Sequence, residues 1–325
     1  MSDLLWALIR KLGFSAAVIF GVSVVILVLS RAVPGDAIDQ ISDGPEERAV
    51  LEAELGLDRS FAEQFVSWWR RVAHMDFGAS WVMRQGSDVR SLIAPAFRKT
   101  ALLVVPALLM SLGVAAMLIA IGRWERFGFL WGSIRRLAHL VSVMPLFLMG
   151  YLIILAFNGP TYAMIEAGWI ERPDWFALPG EMTWHKYALA ICVLAVGNGT
   201  LSDVLLHLEA EVDAIMRQEY ILSARARGVG VYSHALRNLV VPVVSIMINK
   251  AGFFLGGVVV VEYVFNIHGL GMMIWNAANL RDIPVVAAIA FVVSVLVTLL
   301  HLGVDLLQLA IDPRVRDRRE DAGAQ

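Results

Sequence analysis

TALLVVPALLMSLGVAAMLIAI, the stretch from Thr100 to Ile121, contains no ionisable side chain. An α-helix rises about 1.5 Å per residue and the hydrocarbon core of a bilayer is about 30 Å thick, so about 20 apolar residues suffice to cross it. The stretch meets that length, and it offers no polar face to water. Working outward, five more runs meet the same test with uneven strength: Leu12 to Leu29, Leu137 to Phe157, Tyr187 to Leu206, Leu239 to Phe265 and Pro284 to Ile311. The chain is 58% hydrophobic and 17% charged over 325 residues, a balance that a water-covered surface would not sustain. The expected fold class is an all-α polytopic membrane protein with about six transmembrane helices. The fourth run is the weakest, because Gly197, Asn198, Gly199, Thr200, Ser202 and Asp203 interrupt it. Polar groups in hydrocarbon require partners, so this segment is expected inside a bundle rather than against lipid.

Several function classes are excluded by what the chain lacks. A net charge of -2 with dispersed Lys and Arg argues against nucleic acid as a partner. The single cysteine, Cys192, cannot form an intrachain disulfide or a thiolate metal site, and it is expected to be a small buried hydrophobe. No GxxxxGK[ST], HExxH or GxSxG occurs, and the seven histidines have no ligand-like spacing. The chain is therefore expected to be non-catalytic, with no bound cofactor or metal. MSDLLWALIRKLGF resembles a secretory leader, but its apolar run is long and no small-residue cleavage site follows, so it is expected to stay as the first membrane helix.

Orientation follows the bias of Lys and Arg toward short cytoplasmic loops. Arg10 and Lys11 precede the first run; Arg123, Arg126, Arg135 and Arg136 lie between the second and third; Arg217, Arg225, Arg227 and Arg237 lie between the fourth and fifth. Arg314, Arg316, Arg318 and Arg319 follow the sixth, whereas the opposite-side gaps after the third and fifth runs carry only Arg172, Lys186 and Arg281. The gap after the first run is also basic, but it is long, and long loops translocate largely regardless of charge. Both termini are thus expected in the cytoplasm of a bacterial inner membrane. The expected segments are 1–31 with the first helix, an extracytoplasmic insert over 32–99, a core of five helices over 100–312 with a cytoplasmic loop at about 207–238, and a tail over 313–325. Within the insert, SFAEQFVSWWRRV places Ser60 and Glu63 at capping-box spacing, while Phe61, Phe65, Trp68 and Val72 share a helical face. A small helix packed on the bundle is expected there.

The cytoplasmic loop carries the most specific signal. QEYILSARARGVGVYSHALRNLVVP, from Gln218 to Pro242, is helix-compatible as far as Arg227 and is then broken by Gly228 and Gly230. It resembles the coupling loop of ABC importer permeases, in particular the dipeptide, oligopeptide and nickel branch. RAVPGD at 31–36, ELGLDRS at 54–60, DFGAS at 76–80, SVMPLFLMGYLIIL in the third run, VVVVEYVFNIHGLGMMIWNAANLRDIPVV at 258–286 and VDLLQLAIDPRVR at 304–316 follow in the family's order.

That resemblance implies a type I permease bundle that translocates peptides or related small solutes by alternating access. It implies three kinds of protein neighbour besides lipid: a second, homologous permease, two cytoplasmic ATPase subunits carrying ATP and Mg, and an extracytoplasmic solute-binding protein. Glu219, Tyr220, Ala224, Ala226 and Gly228 match the coupling motif. Arg225 and Arg227 read either as partners of ATPase acids or as orientation charges. The chain departs from the family in a loop a few residues shorter between Gly228 and Pro242, and in Glu209, Glu211 and Asp213 where relatives tend to be basic.

Intramembrane polar residues are the remaining candidates, since a charge at the bilayer centre costs about 2.5–3.5 kcal/mol even on the lenient insertion scale. Lys250, beside Asn249, either favours acidic solutes in the path or pairs with Asp203 or with another helix. Glu262 lies either near the path or against the loop through Gly269 and Gly271. Gly252 and Gly256 form a GxxxG pair whose expected role is close helix packing. Two other classes fit the same composition: an ion-gradient-driven secondary transporter using Lys250, Asp203 and Glu262, and a membrane scaffold or receptor that moves no solute.

Overall fold

The computed structural model describes residues 2–32, 38, 42, 44–56, 58–123, 128–171, 184–228 and 231–311. A minority of side chains within those ranges, Arg225 among them, lie outside the description. RAVPGD beyond Ala32, Arg126, Arg172, Gly230 and the tail from Asp312 also fall outside the described residues. The described elements are α1 (Ser2–Ala32), α2 (Pro45–Leu55), α3 (Phe61–Ala73), α4 (Val89–Gly122), α5 (Gly128–Ser142), α6 (Leu146–Glu166), α7 (Trp184–Val196), α8 (Thr200–Met216), α9 (Glu219–Ala226), α10 (Val231–Val264), α11 (Leu270–Asn279) and α12 (Ile283–Ile311).

Among the described residues, five helices are long and apolar enough to cross a membrane, and α7 with α8 makes a sixth if the bent pair is one span. Three expected boundaries move, each for a local reason. The third run, expected over Leu137–Phe157, is divided: α5 ends at Ser142 and α6 begins after Pro145. Proline cannot donate a backbone N–H and disfavours helical backbone at the residue before it, here Met144. The fourth run is bent by 53° between α7 and α8, where Asn198 and Gly199 take positive φ of 49° and 78°. The second run begins earlier, so the boundary expected at 99/100 falls within continuous α4.

The chain divides into two compact units, the first comprising 1–100 with 268–298 and the second 101–267 with 299–325. In the first unit, α3 starts in a reciprocal cap: Ser60 Oγ accepts from Glu63 N at 3.3 Å, and the Glu63 carboxylate accepts from Ser60 N at 3.0 Å. Two orphan amides are satisfied, which fixes the start of the helix. Trp68 and Val72 on the expected face are buried with Phe77, Val89, Ile93, Met273 and Ala288. Phe20 of α1 packs edge-on against Phe65 at 5.2 Å, and Phe291 of α12 meets Trp68 at 5.7 Å. This aromatic seam holds α1, α3 and α12 together.

The other device in this unit is a carboxylate clasp. Asp282, fully buried, accepts from Ser80 Oγ at 2.5 Å and from the backbone N–H groups of Trp81, Val82 and Met83 at 3.1, 3.2 and 3.0 Å. Ser80 Oγ in turn accepts from Arg84 N at 2.9 Å, closing the 80–84 turn. Thr100 Oγ1 accepts from Leu270 N at 2.7 Å and so caps the start of α11.

In the second unit, α10 packs against α6, α7 and α8. The core holds Leu103, Ala107, Leu146, Met149, Val193, Leu194, Phe254, Val258 and Val261. Close approach is made by glycines other than the expected pair. A Cβ at Gly197 would stand 2.7 Å from the Val193 carbonyl and 2.9 Å from Leu146, and one at Gly257 would stand 3.0 Å from Leu146. Gly252 and Gly256 would meet nothing within 4 Å, so the expected packing role is not theirs within this chain. Their spacing puts them on a face that α6, α7 and α8 do not cover. Cys192 is exposed on α7 rather than buried, since a thiol is apolar enough to need no protein cover on a membrane helix.

Candidate functional site

The segment expected to form the coupling loop is a short helix, α9, entered by a tight turn and ended at Gly228. After Met216, Gln218 N bonds to Ile215 O and Ile221 N to Gln218 O, so α8 reverses directly into α9. Ile215, Ile221, Ala224 and Ala235 are buried beside Met216 and Leu239, which seats α9 between the ends of α8 and α10. The eight residues of α9 would not hold a helix alone in water, so this contact supplies their stability. Gly228, at φ 69°, ends the segment in the left-handed conformation that lacks a Cβ penalty.

The sequence-derived residues sort by side. Glu219, Tyr220, Ala226, Arg227 and Gly228 are exposed, whereas Ala224 is 5% exposed and turned into the chain's own core. The small side chain of Ala224 serves the approach of α9 to its flanking helices. Asn238 Nδ2 donates to the Tyr220 hydroxyl at 2.5 Å, tying the outward tyrosine to α10. Arg227 Nε donates to Ser223 O at 3.2 Å.

Two of the three acids singled out on α8, Glu209 and Asp213, have partners on this chain. Arg135 of α5 reaches both carboxylate oxygens of Glu209 at 2.6 Å, and Arg123 pairs with Asp213. Arg135 also stands 5.7 Å from the centre of the Trp131 ring. These arginines entered the sequence reading only as orientation charges. Helical spacing was the available signal: Glu209 and Asp213 lie four apart on α8 and share a face.

Deeper in the second unit, Lys250 Nζ lies 2.6 Å from Asp203 Oδ2 and 5.1 Å from the centre of the Phe253 ring. The geometry brings Lys250 and Asp203 together. Asn249 is exposed on the adjoining face of α10, and Glu262 is fully buried near the end of the same helix. Ile267 N donates to the Glu262 carbonyl at 2.8 Å, closing the turn after α10. The Ser80–Asp282 clasp was missed in sequence, although both residues lie in stretches that resemble the family, DFGAS and LRDIP.

The family described as "Binding-protein-dependent transport system inner membrane component" matches residues 112–317, which includes α5 to α12 and the Lys250–Asp203 ion pair. The chain belongs to this family. It is thus a multi-span permease of the ABC importer class. A glutathione transport system permease protein, GsiC, of Escherichia coli (strain K12) is 31% identical over 325 residues, covering 95% of this chain and 98% of that one. A candidate peptide permease protein of Brucella suis biovar 1 (strain 1330) is 29% identical over 317 residues, again covering 95% of this chain and 98% of its relative. Near-complete coverage means that the first unit also has counterparts in these relatives.

Proposed function

We propose that this permease translocates peptides or related thiol-containing oligopeptides across the bacterial inner membrane as half of an ATP-driven, binding-protein-dependent importer. The names of its relatives, a glutathione transport permease and a candidate peptide permease, support that solute class. A second permease completes the path, two cytoplasmic ATPase subunits hold ATP and Mg, and an extracytoplasmic binding protein delivers the solute. In this reading both termini are cytoplasmic, the stretch between α1 and α4 faces the outside, α4 to α12 form the core and 313–325 is a cytoplasmic tail.

The observation that carries the proposal is the form of α9. A short helix is wedged between the ends of α8 and α10, with its inner face in the core and its outer face, Glu219, Tyr220, Ala226, Arg227 and Gly228, free for a partner. A push on that face would be delivered to α8 and α10 together, and α10 packs on α6 and α7. Closure of the ATPase pair would tilt those helices and switch the side to which the path opens. The chain transmits work and has no nucleotide chemistry of its own.

The test is reconstitution of the four components in proteoliposomes. ATP-dependent accumulation of a labelled peptide is expected, abolished by omission of the binding protein. A cysteine at Tyr220 or Arg227 is expected to crosslink to an ATPase subunit. Uptake that follows an ion gradient without ATP, or labelling of those cysteines from outside the cell, would reject the reading.

A further inference from the structure

The ion pair between α8 and α10 lies where neither charge faces hydrocarbon cheaply. Lys250 falls near the middle of the apolar span Ala235–Val264, which the helical rise places roughly 20 Å from either end. Ionisable groups at that depth face the interior of a bundle or a water-filled cavity. The two partners are not equally covered: the side chain of Lys250 is 13% exposed and that of Asp203 is 50% exposed. Lysine is the sheltered member, held by the carboxylate and by the face of Phe253.

The half-exposed carboxylate has particular surroundings. Lys250 takes Oδ2, and among the described residues no other cation is placed on Asp203. Just before it, the α7–α8 break leaves Asn198 exposed at φ 49° and Gly199 at φ 78°. Asn249, beside the lysine on α10, is exposed as well. Non-helical backbone and polar side chains are tolerated at membrane depth only inside protein or along water. Lipid would leave these groups without hydrogen bonds, and a dry protein contact would strand a carboxylate oxygen. Water does neither.

We infer that Asp203 is a specificity-determining residue of the translocation path: its carboxylate faces the water-filled route and accepts the ammonium group of the passing solute. Lys250 acts through it as a positioning residue, fixing the carboxylate from beneath and keeping the site close to neutral in the resting state. The substrate class is then solutes with a free primary ammonium group, favoured over amine-blocked or purely anionic ones. This inference rests on the transport reading above and goes beyond it in naming the group recognised.

Two measurements on the complete reconstituted complex decide it. In a chain carrying Cys192→Ala and Lys250→Met, Asp203→Cys is expected to react with a membrane-impermeant, charged methanethiosulfonate. An unreactive thiol in an assembled complex overturns the water-facing placement whether or not uptake is detected. Uptake of a free-amine dipeptide and of its N-acetyl derivative is then compared for Asp203→Asn and for Asp203→Asn with Lys250→Met, which leaves no orphan charge. The same binding protein is used at a concentration that captures both solutes, and each rate is divided by the wild-type rate so that capture cancels. The free-amine ratio is expected to fall about tenfold or more below the N-acetyl ratio, as expected when one partner of a charge pair is removed. Equal ratios overturn the inference and leave the transport reading standing. Absence of ATP-driven uptake in the wild-type complex removes the transport reading instead, and the thiol result still reports which way Asp203 faces.

Discussion

Replacing Asp282 by alanine removes the acceptor for four donors at once, and the cost can be worked from the geometry. Ser80 Oγ, 2.5 Å from the carboxylate and itself 1% exposed, loses a charge-assisted bond with no water to replace it. A hydrogen bond to a charged group is worth about 1.5–3 kcal/mol, so about 2 kcal/mol is assigned to this one. The N–H groups of Trp81, Val82 and Met83 are half-buried, and water reaches them in part, so about 0.5–1 kcal/mol is assigned to each. The sum is about 3–5 kcal/mol, in the range found when one member of a buried charge cluster is removed. Asp282→Asn keeps one oxygen and is expected to cost about half as much. Ser80→Ala loses one of the same bonds, so the double variant is expected to fall short of additivity by about 1–2 kcal/mol. The direct readout is backbone hydrogen exchange of Trp81, Val82 and Met83 in detergent micelles. Since about 1.4 kcal/mol is a factor of ten, their protection is expected to drop by about two to three decades in Asp282→Ala. Unchanged exchange at those amides, or strict additivity of the Ser80 and Asp282 substitutions, would refute the clasp as the element that fixes the 80–84 turn.

Other expectations follow from single positions. Gly228→Asp places a side chain at φ 69°, at a local cost of roughly 1–2 kcal/mol, and is expected to leave membrane insertion intact while solute uptake is lost relative to ATP hydrolysis; wild-type uptake would discard the coupling role. Gly197→Ala drives a methyl group against the Val193 carbonyl and Leu146 and is expected to cost about 1–3 kcal/mol in thermal unfolding, whereas Gly252→Ala, with nothing within 4 Å, is expected to be neutral or slightly stabilising for the isolated chain. Glu63 is held below its ordinary pKa of 4.5, chiefly by the Ser60 hydroxyl and then by the Ser60 amide. A depressed folded-state pKa gives stabilisation that is present above 4.5 and lost as pH falls through the folded value, so fraying at the start of α3, measured by hydrogen exchange, is expected to increase in that acidic window, and to do so less steeply in Ser60→Ala, which removes the hydroxyl and keeps the amide.

Long apolar runs were legible in sequence because hydrocarbon imposes both length and polarity on a span. The bend in the fourth was legible in outline, since Gly197, Asn198 and Gly199 stand together where a helix should continue. Its consequence was not: a 53° turn depends on which glycine approaches a neighbour, and Gly197 meets Leu146 of α6 at a distance no local pattern encodes. Periodicity placed Trp68 and Val72 on the inner face of α3 and the Ser60 cap at its start, both of which are local properties. The Asp282 clasp was illegible for the opposite reason. Its partners are 199 to 202 residues away in the chain, and an aspartate before Ile-Pro reads as an ordinary loop acid. The GxxxG pair misled because spacing alone says that a face is smooth, not that another helix of the same chain lies on it.

The acids on α8 join two observations that looked unrelated in sequence. Glu209, Glu211 and Asp213 give α8 an acidic stretch, and Arg123 and Arg135 lie far from it in the chain. Glu209 and Asp213 lie one helical turn apart, and the same face meets Arg135 and Arg123 from outside α8. A basic residue at either position would set like charges opposite an arginine, so the acids and the arginines form one mutually dependent set. Each pair is partly exposed, with Arg135 at 40% and Glu209 at 21%, and such pairs contribute under about 1 kcal/mol once solvent screening is counted. Stability is therefore a weak reason for them, and register is a stronger one. The Arg135 contact ties α8 to α5 and the Arg123 contact ties the same face to the end of α4, so together they limit how far α8 slides and rotates, and α8 leads through one tight turn into α9. A force applied at Tyr220 or Arg227 would then reach α5 as well as α10, because slippage at the α5–α8 contact would have to break the Arg135–Glu209 pair first.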